Sequence, residues 1–147
     1  MKLQRDLREF IELLNSHGVE YLVVGGHAVA FHGYPRFTGD VDFFVRSTAE
    51  NARRLIAVLA AFGFGQAGLD EATLMQPEKI VQLGVPPNRI DLLTSISGVD
   101  FVDAWSDRIP DALDGVPVAF VSKRTLVANK RASGRPKDLV DLEKLGG

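Results

Sequence analysis

The sequence predicts a mixed α/β (α+β) fold, a mixed β-sheet flanked by helices and finished by two C-terminal helices. Three observations carry this. Helix-spaced apolar positions alternate with short runs of β-branched and aromatic residues along the whole chain. Two of the predicted strands follow one another with only a turn between them, so the sheet is not built from βαβ units alone. The 147 residues suit one domain with a sizeable core, spanning 1–147.

Leu3, Leu7, Phe10, Ile11 and Leu14 recur at helical spacing, and Gly18 ends the pattern, which predicts a helix over residues 3–16. Residues 19–24 form a compact apolar run and read as a buried strand. Gly25-Gly26 is expected to turn the chain into a short helix over 27–32, broken by Gly33-Tyr34-Pro35. Residues 40–46 read as the second strand, with Val41, Phe43 and Val45 on one side and Asp40, Asp42 and Phe44 on the other. Ser47 or Thr48 caps a helix whose buried stripe is Leu55, Ile56, Val58, Leu59 and Phe62, stopped by Gly63-Phe64-Gly65. A short helix is expected around residues 70–75. Residues 80–85 and 89–94 read as paired strands around Pro86-Pro87-Asn88. A short helix over 99–105 and a last strand over 116–121 follow. Ser122 caps a helix to about residue 132, and Pro136 opens the final one, which runs to residue 145.

Composition narrows the function classes. The net charge is −2, so no global basic field points to nucleic acid. Lys123, Arg124, Lys130, Arg131, Arg135 and Lys137 are locally dense, which reads either as solvated helix surface or as a phosphate-binding face. With no cysteine, disulfides, thiolate chemistry and Cys-based zinc sites are excluded. No apolar stretch is long enough to span a bilayer, and the N-terminus lacks a signal-peptide apolar region. A soluble, cytoplasmic protein without membrane partners is expected.

The chemistry is concentrated between Gly25 and Asp42. A Gly pair between a strand and a helix lets backbone N–H groups approach a phosphate. Asp40 and Asp42, at i and i+2 of a strand, point to the same side, and no basic residue is expected between them. Like charges that close call for a divalent cation. Asp91, an acid within Arg89-Ile90-Asp91-Leu92-Leu93, is costly in mid-strand unless paired, and joins the other two if the strands are neighbours. Three carboxylates facing a Gly turn would hold Mg²⁺ and a triphosphate together.

On Gly25-Gly26, Asp40-Val41-Asp42 and Asp91 the chain resembles the DNA polymerase β-type nucleotidyltransferase superfamily. The form Gly-Gly-x-Ala followed by Arg36-x-Thr38-x-Asp40-x-Asp42, with the tail from Lys130 to Leu142, is similar to small stand-alone members. Among these are abortive-infection nucleotidyltransferase toxins of toxin–antitoxin systems. The resemblance runs from about residue 19 to the C-terminus. It implies a minimal nucleotidyltransferase fold and transfer of a nucleoside monophosphate from an NTP such as ATP to an acceptor. That acceptor would be tRNA or another RNA, a protein or a small molecule. It also implies an antitoxin partner chain and Mg²⁺ or Mn²⁺ as cofactor. Asp40, Asp42 and Asp91 are its catalytic and metal-binding residues; Gly25, Gly26, Arg36, Thr38 and Lys130 are its nucleotide-binding ones. Many members carry Ser where this chain has Gly26, so backbone N–H groups must replace a hydroxyl contact.

Each residue also has a plainer reading. The Gly pair could be only a turn, and Asp40 and Asp42 the solvent face of an edge strand. Arg36 and Thr38 could be polar loop residues. His27 and His32 are better read as helix-start and surface residues than as metal ligands, and Tyr34 and Trp105 as packing rather than base-stacking residues. Asp138 and Asp141 are expected to pair with the nearby basic residues. The competing function is a non-catalytic nucleotide-binding or partner-binding module of a toxin–antitoxin system. A dinucleotide-binding Rossmann domain is excluded, because Gly-x-Gly-x-x-Gly is absent.

Overall fold

A six-stranded mixed sheet, in the order β3-β4-β2-β1-β6-β5, carries the site. The computed structural model describes residues 5–33, 40–63, 69–84 and 89–146. Helix α1 (Arg5–Ser16) leads into β1 (Tyr21–Val24), which runs directly into α2 (Gly25–Phe31). Then come β2 (Val41–Val45), α3 (Ala49–Phe62), α4 (Glu71–Met75), β3 (Ile80–Leu83) and β4 (Ile90–Leu93). The chain closes with α5 (Phe101–Ser106), β5 (Ile109–Leu113), β6 (Val116–Phe120), α6 (Lys123–Ser133) and α7 (Pro136–Leu145). The mixed α/β architecture is the one the periodicities predict. Among the described residues no helix is long and apolar enough to cross a membrane.

The sheet centre is buried on both faces, as its continuous apolar runs require. On one face Phe43 of β2 meets Phe10 of α1 at 5.9 Å and Tyr21 edge-on at 5.5 Å. On the other, Phe44 packs edge-to-face on Phe101 of α5 at 5.0 Å, and Phe101 stacks on Trp105. Trp105 thus packs against the protein, with Arg108 over its ring at 4.0 Å. Phe31 of α2 stacks on Phe120 of β6 with centroids 4.0 Å apart. These contacts fix α2 and the centre of β2, the two elements that bear the Gly pair and Asp42.

Helix ends follow local chemistry. Thr48 accepts from Asn51 N–H at the start of α3, Asp70 from Thr73 N–H at α4, and Ser122 from Thr125 N–H at α6. Asn51 is itself buried. Its side chain accepts from Glu20 N–H and donates to the carbonyls of Glu20 and Arg46, tying α3 to β1 and β2.

Two elements differ from the sequence reading. Gly25 and Gly26 form the first turn of α2 rather than a turn ahead of it. Strand β5 was not expected, because Pro110 and Asp111 argue against a strand. It is tolerated at the sheet edge, where it pairs with β6 alone. Asp114-Gly115 makes the connection, both residues at positive φ, the turn that suits a tight hairpin. Residues 3 and 4 of the expected first helix, Phe64-Gly65 of the expected stop, Val85, the turn Pro86-Pro87-Asn88 and the segment from Tyr34 through Arg36 and Thr38 to Gly39 lie outside the described residues.

Candidate active site

Strand β2 sits between β1 and β4, and this places the acids. It runs antiparallel to β1 with Asp42 opposite Val24, and parallel to β4 with Asp42 beside Asp91. Residues in register project to the same side of a sheet. Asp42 and Asp91 therefore share the face of Phe44 and α5, away from Phe43. Asp40 stands one residue before β2. Because β1 passes straight into α2, Gly25 follows Val24 and lies under the Asp42 carboxylate. The N-cap residue Val24 offers no side-chain hydrogen bond, so the first N–H groups of α2 carry no side-chain cap.

The electrostatics are those of crowded carboxylates. Burial pushes the Asp42 carboxyl up to about 6, and a hydrogen bond with Asp91, the charge of Asp91 and the charge of Asp40 push in the same direction. Lys137 opposes them. Positive charge comes from α7, whose N-cap is Arg135 and whose first turn holds Lys137. The Arg135 guanidinium is held charged by its hydrogen bond to Asp138 and also feels the charge of Asp42.

Arg89 corrects the expectation that no basic group lies among these acids. Its Nη2 donates to Asp40 Oδ2 at 2.8 Å, and its Nε lies 3.4 Å from Asp91 Oδ1. Sequence reasoning passed over it. The signal was present, because Arg89 and Asp91 are at i and i+2, adjacent positions on one face of the strand run.

Lys130, expected to bind nucleotide, is paired with two acids of α7. It is 4% exposed, with Nζ 3.1 Å from Asp138 Oδ1 and 3.2 Å from Asp141 Oδ2. Asp138 is fully buried and also accepts from Ser133 and Arg135. This cluster joins α6 to α7, and the charges of Lys137 and Arg135 at the start of α7 interact with that of Asp42. His27 is buried, and burial lowers its pKa. His32 lies 2.8 Å from the Val121 carbonyl through Nε2, an anchor for α2.

The donor set suits a hard divalent cation, being carboxylate oxygen only. Asp91 Oδ1 is buried without a hydrogen bond among the described residues, an atom that a cation would satisfy. The acids are not gathered into a cage. Among the described residues no group of three or more His, Cys, Asp or Glu side chains is arranged to hold an ion. Mg²⁺ does not require one, since it commonly takes one or two carboxylates and completes its shell with water and substrate phosphate.

Comparison with curated proteins finds no match. The family model described as "Nucleotidyltransferase of unknown function (DUF6036)" matches residues 2–146, nearly the whole chain, and the chain belongs to this nucleotidyltransferase family.

Proposed function

We propose that the chain is a metal-dependent nucleotidyltransferase of the DNA polymerase β type. It moves a nucleoside monophosphate from an NTP to an acceptor and releases pyrophosphate. The observation that supports this most is the stacking of Asp42 over Gly25 and beside Asp91, which puts two acids against the first turn of a helix.

Each residue then has a task. Asp40, Asp42 and Asp91 would hold Mg²⁺ or Mn²⁺ together with the triphosphate. The bound ion supplies Lewis-acid stabilisation of charge on the phosphoryl oxygens. The N–H groups at Gly25 and Gly26 would receive the phosphates, and Arg36 and Thr38, which precede β2 in the sequence, are the further nucleotide-binding residues of this reading. Arg135 and Lys137 add positive charge from α7. Asp91 takes the proton from the acceptor hydroxyl as its oxygen bonds to the α-phosphorus and the bond to pyrophosphate breaks. Lys130 contributes by holding α6 to α7.

The acceptor is tRNA or another RNA, a protein or a small molecule, and the chain works in the cytoplasm, as the toxin of a toxin–antitoxin pair. Incubation with each α-labelled NTP and Mg²⁺ or Mn²⁺, alongside total RNA, tRNA and cell protein, tests this. A labelled acceptor and released pyrophosphate are expected. Nucleotide binding without turnover under all these conditions would favour the non-catalytic module.

A further inference from the structure

We propose that Arg89 is a built-in competitor for the divalent cation. With no ion bound it bridges Asp40 and Asp91, and ion binding displaces it toward the triphosphate. The inference rests on the reading of these acids as the metal site and adds a two-position residue to it.

Three observations carry it. First, the guanidinium spans two acids from different strands, at 2.8 Å to Asp40 and 3.4 Å to Asp91. A divalent cation shared by those acids would meet the guanidinium's positive charge at the same place, so the two compete for the carboxylates. Second, the hold is incomplete. Arg89 Nε and Asp91 Oδ1 are buried, yet neither makes a hydrogen bond among the described residues. A guanidinium built to stay would be expected to bind in a paired, bidentate way. Third, the acids stand as pairs rather than as a cage: Asp42 is in register beside Asp91, and Asp40 accepts from Arg89. Moving Arg89 takes its positive charge away from Asp40 and Asp91 at once.

The side chain has somewhere to go. It is 31% exposed, against 12% for Asp91, so the guanidinium reaches solvent. A displaced guanidinium keeps its charge at any physiological pH and suits a phosphate geometrically. The exchange is of charge only: a divalent ion enters, and the arginine moves from carboxylate to phosphate.

Calorimetric titration of the full-length chain with Mn²⁺ alone, then with Mn²⁺ plus an NTP analogue whose α,β-bridge is methylene, tests the inference. Arg89→Gln should bind Mn²⁺ alone about tenfold more tightly than wild type, and the Mn²⁺–analogue pair about tenfold more weakly. Merely structural damage would weaken both, so the gain in the first measurement is the diagnostic one. Arg89→Met, which keeps an apolar stem on the strand, serves if the Gln variant loses its circular dichroism signal. Unchanged or weaker Mn²⁺ binding in the folded variants, with wild type still binding Mn²⁺ and analogue, overturns the role of Arg89 alone. If no form of the chain binds Mn²⁺ with or without analogue, the metal site and the inference built on it both fall.

Discussion

The carboxylate of Asp42 lies directly over Gly25. A methyl group at position 25 would overlap Oδ2 and stand 3.1 Å from Cγ and 3.3 Å from Cβ of Asp42. Gly25 also has a φ of +68°, a conformation other residues adopt only with strain. Gly25→Ala should therefore cost about 1–3 kcal/mol of stability and push Asp42 off its position, lowering turnover with it. Urea denaturation and a pyrophosphate-release assay read the two effects. A variant with wild-type stability and rate would show that the close approach has no consequence. Gly26→Val, one residue on, should instead weaken NTP affinity while leaving the fold intact.

Asp42 should also set the pH dependence of stability in mild acid. The folded chain retains its proton up to about pH 6, whereas an unfolded chain releases it near the ordinary carboxylate value. The folded state thus binds more protons in this interval, and stability should fall as pH rises from about 4 to about 6, then level off. Asp42→Asn should remove that slope and abolish turnover without unfolding the chain. Urea melts of both proteins at several pH values, without metal, check this. An unaltered slope in the variant would assign it to another group.

The Lys130 cluster predicts the opposite dependence at lower pH. Burial alone would raise the Asp138 carboxyl, but hydrogen bonds from Arg135, Ser133 and Lys130 outweigh it and hold it well below the ordinary range. That stabilisation is present above about pH 4 and is lost as pH falls further. Lys130→Met leaves Asp138 and Asp141 buried without this ammonium and should cost about 3–5 kcal/mol. A variant that keeps its urea midpoint but loses NTP affinity would restore Lys130 to the nucleotide site.

Asp91→Asn should lower the catalytic rate far more than it weakens NTP binding, because its proposed task is to take a proton from the acceptor. Single-turnover rates beside analogue affinities separate the two. Normal turnover in this variant would remove Asp91 from catalysis and reduce the acid set to Asp40 and Asp42.

The sequence by itself determined most of the local structure. Helical spacing marked α1 and α3, alternation marked β2, and Thr48, Ser122 and Pro136 marked helix starts, because these signals lie within a few residues of one another. It also singled out Gly25, Asp40, Asp42 and Asp91, since their residue types are costly or unusual at strand positions. Tertiary structure alone decided which strands are neighbours, and with that whether Asp91 meets Asp42. It set Arg89 between Asp40 and Asp91, a pairing across strands 49 residues apart in sequence. It turned Lys130 inward to Asp138 and Asp141, where an ion pair offsets burial, although basic spacing on α6 reads equally well as solvated surface. It made an edge strand of Ile109–Leu113 despite Pro110, because pairing to β6 alone requires no second row of hydrogen bonds. Charge partners and sheet order depend on long-range register, and no window of neighbouring residues encodes that.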